Sequence, residues 1–302
     1  MCAATLTTNH RTPPLDRSSI CAVIVTFNPT EKLNALVLAL QDQVGTILIV
    51  DNNSSNRMTV ERLSGQVGEI LWLDRNYGLG HGLNTGARRA VELGHTWLIT
   101  FDQDSCPAPD MVARMADACR VMPPGLRVGA LGPRRVKTAD EIAQPPSARQ
   151  SWQRRTYLIT SGMLLPLAVF NEIGGYDGEY FIDMLDRELC ARLDRHTYAV
   201  VMVRDACLIH RVGDPVGFTL LGRDFYSSNH SPVRRYYMYR NGIRLMTEHG
   251  LRKTHYVIYG LTAEFLFVLL AERNKIRKLR AIAAGMIDGV RRRSGPAPSP
   301  IA

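Results

Sequence analysis

No cysteine pair in this 302-residue chain has C-x-x-C spacing. The six cysteines (Cys2, Cys21, Cys106, Cys119, Cys190 and Cys207) are dispersed, several of them inside apolar segments where a thiol packs as a small hydrophobe. This argues against a zinc site and points to the reducing cytosol. The amino terminus, MCAATLTTNHRTPPLDRSS, has no apolar run before Ile20, so residues 1–19 read as a flexible leader and not as a secretory signal. No internal repeat is present. The glycine-rich segment Gly78-Leu-Gly-His-Gly-Leu-Asn-Thr-Gly86 fails the G-x-G-x-x-G test in both registers, because Leu83 and Thr85 occupy the third-glycine positions. It also follows the third apolar strand and not the first, which excludes a dinucleotide fingerprint.

Acidic charge is scarce at one end. Of a formal net charge of +9, residues 252–293 carry an excess of +7, from ten Lys/Arg and three acids. This excess is confined to the tail and is not patterned with aromatic residues along a groove, so nucleic acid is not an expected partner. It suggests an anionic surface at that end. The apolar run Tyr256–Ala271 precedes most of it. The run is short for a membrane-spanning helix and has Glu264 near its middle. A surface-lying or partly inserted helix is the expectation, with a core or oligomer-interface helix as the competing reading. The Pro-rich residues 294–302 are expected to be disordered.

What the chain has is a regular alternation. Apolar strands are expected at Ile20–Thr26, Thr46–Val50, Glu69–Leu73 and Thr96–Phe101, and helices at Thr30–Gln41, Gly82–Leu93, Pro107–Met122 and Asp183–Arg195. Tyr198–Val203 and Ala206–His210 read as two short strands, and 137–155 as a mobile loop. Near-continuous apolar strands alternating with helices predict an α/β fold, a mostly parallel central sheet flanked by helices on both faces. Ligands bind at the carboxyl ends of such strands.

Those ends are polar: Thr26 and Asn28, Asp51 and Asn53, Arg75 and Asn76, and Asp102 and Asp104. Asp-x-Asp alone occurs about once by chance in such a chain. Its placement at a strand end gives it meaning, since residues i and i+2 point the same way and can converge on Mg²⁺ or Mn²⁺ with a substrate's phosphates. A nucleotide-sugar donor needs an acceptor for the base N–H, which Asp51 offers, and polar groups for ribose or sugar. Gly80 and its neighbours suggest close approach of backbone to ligand, with Asn76 and Asn84 as contacts. A second acidic cluster, Asp183, Asp186 and Glu188, opens a helix with Leu185, Leu189 and Leu193 on one face. Acids there are favourable through the helix dipole alone, but one could serve as a general base. His210 ends a short apolar strand and could add a nitrogen ligand to a cation at Asp104. Arg234, Arg235 and Arg240 could meet an acceptor diphosphate or form a solvated face.

Together these segments resemble the inverting glycosyltransferases of family 2, with the GT-A fold, and within them the bacterial rhamnosyltransferase branch. The matching segments are VIVTFNP (Val23–Pro29), IVDNNSS (Ile49–Ser55), RNYGLGHGLNTG (Arg75–Gly86), LITFDQDS (Leu98–Ser105), TSGMLLPL (Thr160–Leu167), GGYDGEYFIDMLDRELCARL (Gly174–Leu193) and HSPVRRYYMYRN (His230–Asn241). The resemblance implies a dTDP-L-rhamnose donor, a divalent cation, and a glycan or lipid-linked acceptor at the cytoplasmic face of the membrane. It implies Asp51 as base-binding acid, Asp104 as metal ligand, Asp102 as a group orienting donor sugar or ribose, Asp186 as catalytic base and Glu188 as the following acid. Leu185 stands where the family often has Glu. The expected organisation is a leader (1–19), a GT-A domain (20–241), a helical basic region (242–293) and a tail (294–302). Alternatives are a family 2 transferase for a UDP-hexose or UDP-galactofuranose, or a non-catalytic sugar-nucleotide-binding scaffold.

Overall fold

The computed structural model describes residues 13–142, 150–210, 216–220, 222–299 and 301. Its elements run β1 (Ile20–Thr26), α1 (Lys32–Leu40), β2 (Thr46–Asp51), α2 (Met58–Glu61), β3 (Glu69–Trp72), α3 (Leu79–Glu92), β4 (Trp97–Asp102), β5 (Cys106–Pro107) and α4 (Met111–Val121). They continue with β6 (Val128–Val136), β7 (Trp152–Arg154), β8 (Met163–Pro166), α5 (Leu167–Glu172), α6 (Leu185–Arg195), β9 (Ala199–Ile209), β10 (Val216–Leu220) and β11 (Arg223–Ser227). Three helices close the chain: α7 (Pro232–His249), α8 (Leu251–Leu270) and α9 (Lys275–Val290).

The main sheet has the order β3-β2-β1-β4-β8-β6-β9-β5, with β7 pairing β9. β1, β2, β3 and β4 are parallel, β8 runs against β4 and β6, and β6 and β9 are parallel. Both faces of the apolar strands are covered. Along β1, Ile20, Ala22 and Ile24 pack with Leu33 and Leu36 of α1 and Met111 and Met115 of α4. Cys21, Val23 and Val25 pack with Leu83 and Ala87 of α3 and Leu189 of α6. Strict alternation within a continuous apolar run is what a doubly covered parallel strand requires.

Several elements differ from the sequence reading. α3 starts at Leu79, not Gly82, because Gly78 at φ 90° turns the chain into the helix early. β9 is one strand, not two; the polar Arg204-Asp205 step is taken up by a register shift opposite Pro133/Arg134. Part of the expected 137–155 loop is strand β7, while 143–149 lie outside the described residues. α7 runs uninterrupted across the expected 241/242 division. The leader's residues 1–12 lie outside the described residues, but 13–19 are tied down: Trp97 Nε1 donates to Pro14 O (3.1 Å) and Arg17 Nη2 to Gln41 O (2.6 Å). The described part of the tail is also anchored, through Ala297 N to Tyr237 Oη (2.6 Å) and Arg240 Nη1 to Gly295 O (2.6 Å).

Candidate active site

Register alignment brings the polar strand ends to one edge. Thr26 pairs across from Asp51, and Val25 from Asp102. Asp51 is fully buried and accepts from Thr26 Oγ1 (2.8 Å), Ser54 N (2.8 Å) and Ser54 Oγ (2.5 Å). Those three donors use most of the roughly four lone-pair directions of a carboxylate. Asn28 and Asn53 turn the chain in left-handed conformations (φ 49° and 63°). Asn28 Oδ1 accepts from Ser55 N (2.8 Å) and Ser55 Oγ (2.9 Å), and Asn53 Oδ1 from Arg57 (3.2 Å), so the two loops are stitched together. Asn52, which the sequence reading passed over, is buried and bridges onward: its Oδ1 accepts from Tyr77 N (3.1 Å) and its Nδ2 donates to Gly78 O (3.0 Å).

The glycine-rich segment receives protein. Leu79 N donates to Phe181 O (2.6 Å), and a Cβ on Gly78 would stand 2.6 Å from that same oxygen. Gly80 faces the Asp177 carbonyl, where a Cβ would stand at 3.2 Å. Asn84 uses both ends of its amide on the backbone of Tyr176 (Nδ2 to O 2.7 Å, Tyr176 N to Oδ1 2.9 Å). Gly80 and Asn84 therefore both have protein packed against them. Asn76 Oδ1 accepts from Gly78 N (2.9 Å), and the Arg75 guanidinium lies 4.4 Å over the Tyr77 ring.

What docks on the glycines is the loop carrying the second acidic cluster. Phe181, Asp183 and Met184 have φ values of 24°, 64° and 65°, a strained run for residues bearing side chains. The fully buried Asn241 of α7 holds it, its Nδ2 reaching the carbonyls of Tyr180 (3.1 Å), Ile182 (2.7 Å) and Asp183 (3.0 Å). A buried asparagine within a helix must find partners, but nothing in the sequence shows that Asn241 is buried. Asp183 pairs with Arg234 (Oδ1 to Nη2 2.5 Å, Oδ2 to Nε 3.3 Å). Asp186 sits in the first turn of α6 with Oδ1 accepting from Arg187 N (2.8 Å).

The acids share one field. Burial pushes Asp186 up to about 6; Arg187 opposes this, while Asp183 and Asp102 add to it. Burial and the neighbouring Asp104 push Asp102 up to about 6 as well, against the pull of Arg234. His210 Nε2 lies 3.7 Å from Asp102 Oδ2. Burial lowers the His210 pKa and favours the neutral ring, with Asp104 opposing. Its Nδ1 is buried without a hydrogen-bond partner among the described residues.

Residues 21–166 match the family model described as glycosyl transferase family 2. Over that span, just under half of the chain, the sequence is that of a family 2 glycosyltransferase domain. The transferase is 28% identical over 296 residues to the dTDP-rhamnosyl transferase RfbF of Shigella flexneri, covering 91% of this chain and 96% of that protein. It is 27% identical over 260 residues to the galactofuranosyltransferase GlfT1 of Mycolicibacterium smegmatis, covering 78% and 85%. The fold matches a crystal structure of GalNAc-T7 with UDP, GalNAc and Mn²⁺ at a TM-score of 0.54 and 14% identity, over 76% of this chain. That alignment spans about half of the GalNAc-T7 chain (47%).

Two expected site residues of the transferase are structural. Glu188, expected in a supporting or acceptor-side role, is buried, accepts from Arg192 through both oxygens (2.6 and 2.6 Å) and lies 3.4 Å from His249, so it clamps α6. Arg240 is fully buried: it spends its guanidinium on Asn241 Oδ1 (2.9 Å), Gly295 O (2.6 Å) and Glu179 O (3.3 Å), and packs over Tyr237. Arg235 is likewise buried, paired with Glu264 and Glu272. Only Arg234 of the three points toward the acids. Among the described residues no three His, Cys, Asp or Glu side chains stand grouped as a ready-made metal site. Asp104 and His210 are side chains of the kind a divalent cation takes, and the repulsion between Asp102 and Asp104 favours added positive charge beyond that of Arg234.

Proposed function

We propose that the transferase moves L-rhamnose from dTDP-L-rhamnose to a hydroxyl of a glycan or lipid-linked acceptor in cell-envelope polysaccharide synthesis, at the cytoplasmic face of the membrane, with inversion at the anomeric carbon. The observation that carries the mechanism is Asp186: partly buried among acids, fixed by a backbone N–H, and pushed up to about 6. A carboxylate of that basicity takes the proton of an attacking hydroxyl more readily than an ordinary one does. Attack from the face opposite the leaving dTDP makes and breaks both bonds in one displacement, so a base is needed and a covalent intermediate is not. Asn28, Asn53, Arg75 and Asn76 would form the nucleoside side, with Thr26 and Asp51 buried beneath it, and Asp102 would orient sugar or ribose. Asp104 and His210 would hold Mg²⁺ or Mn²⁺, which supplies positive charge beside the leaving diphosphate. Asp183 holds Arg234 near the same charge.

The donor assignment is supported by similarity across nearly the full length of a dTDP-rhamnosyl transferase. A galactofuranosyl donor is the second reading, supported by the GlfT1 similarity. Thermal shift with Mn²⁺ separates them: dTDP is expected to raise Tm more than UDP does. A larger shift with UDP overturns the rhamnosyl assignment.

A further inference from the structure

We infer that the outward faces of α8 and α9 form a docking surface for an anionic lipid bilayer, with α8 lying along it. The inference deepens the membrane part of the reading above and does not depend on which sugar is transferred. α8 buries Thr254, Val257, Leu261 and Val268. Its opposite side, at spacings of three, four and seven, exposes Leu251, Ile258, Tyr259, Leu266, Leu269 and Leu270, with Tyr259 73% and Leu270 52% accessible. α9 adds Ile276 (69%) and Val290 (72%). A continuous exposed apolar stripe of this kind marks an interaction site. No helix among the described residues is long and apolar enough to cross a membrane, so a helix lying in the interface is the form that fits.

Charge decides the partner. The acids of residues 252–293 all turn inward: Glu264 and Glu272 hold Arg235, Glu272 also takes Lys278 (2.6 Å), and Asp288 accepts from Tyr236 (2.7 Å). Every Lys and Arg of that stretch except Lys278 is exposed. The outward face therefore presents apolar side chains and positive charge with no exposed acid from 252–293, and only Lys253 is paired with an exposed acid from elsewhere, Asp194 (2.6 Å). A second copy of the same face would be repelled, whereas anionic headgroups neutralise it. The helix also reaches the catalytic loop. Tyr256 stacks on Tyr157 (5.3 Å), and the Arg187 guanidinium lies over both rings (5.4 and 4.3 Å) while its backbone N–H holds Asp186. An acceptor held in the bilayer would meet the base without leaving the surface.

The test is flotation of the full-length protein with phosphatidylcholine vesicles, with and without phosphatidylglycerol. The expected result is binding to the anionic vesicles only, weakened by added salt. The paired variants Leu266→Ser/Leu270→Ser and Arg277→Glu/Arg280→Glu should each bind at least about tenfold more weakly, with Tm and the nucleotide-induced thermal shift unchanged. Failure of the wild-type protein to bind anionic vesicles overturns the inference. So does a dimer that the Leu→Ser pair dissolves while vesicle binding is unaffected. Vesicle binding without any dTDP-induced shift upholds the surface and counts only against the proposed donor.

Discussion

The side-chain amide of Asn241 lies 2.7 Å from the carbonyl oxygen of Ile182, at the centre of the strained turn that delivers Asp183 and Asp186. A residue on α7 thus sets the position of the proposed base on α6 without touching it. Gly78 presses on the same turn from the other side through Leu79 N and Phe181 O. The loop of the proposed base is held between two elements far apart in sequence.

Asn241→Ala is predicted to lower kcat by about 10²-fold, the scale of a misplacement near 1 Å, while the dTDP-induced thermal shift persists. It should also lower Tm, because three carbonyls lose their donor. Steady-state kinetics beside a melting curve checks both; an unchanged kcat would remove the positioning role.

Asp186→Asn is predicted to cut turnover 10²–10⁴-fold, the usual range for removing a general base, and to raise Tm at neutral pH. The sign follows from the raised pKa. Between about 4 and about 6 the folded state keeps a proton that the unfolded chain has lost, so stability falls as pH rises through that window. Above it the ionised carboxylate is a net cost that asparagine avoids. Melting curves across pH should show the variant losing less stability than the wild type over that range, the remaining loss coming from Asp102.

Turnover of the wild type is predicted to rise with pH through about 6 and then level off, as Asp186 becomes able to accept a proton. Asp102 titrates in the same region, so the inflection belongs to the cluster and not to one residue. A profile flat from pH 5 to 8 would contradict the assignment of the base.

Glu188→Ala is predicted to destabilise the protein by about 3–5 kcal/mol, the usual cost of removing one partner from a buried ion pair, since Arg192 is left without its carboxylate. Urea titration measures it. At a temperature where the variant is folded, KM for the acceptor should be unchanged; a selective rise would restore Glu188 to the acceptor side.

The strand-end half of the site is legible in the sequence because its signal is local. Apolar runs that stop at Thr26, Asp51 and Asp102 show both the strand and its polar edge. The other half is not, because it depends on what a polar residue meets in space. Asn84, Glu188 and Arg240 look like ligand groups until Tyr176, Arg192 and the Gly295 carbonyl are found against them. α7 mixes apolar and polar residues, yet it buries Arg235, Arg240 and Asn241 completely beside its tyrosines, a burial that the pairing partners on other elements permit. The docking stripe of α8 has the same origin: the apolar run is visible, but which side stays uncovered is decided by α7 and α9.

The most direct test of the central claim is incubation of the protein with dTDP-L-rhamnose, Mn²⁺ and a cell-envelope lipid extract, with mass spectrometry of the lipid products, run beside Asp186→Asn. The account predicts a product carrying one added deoxyhexose with the wild type and almost none with the variant. Transfer only from UDP-sugars, or near-wild-type transfer by Asp186→Asn, would contradict it.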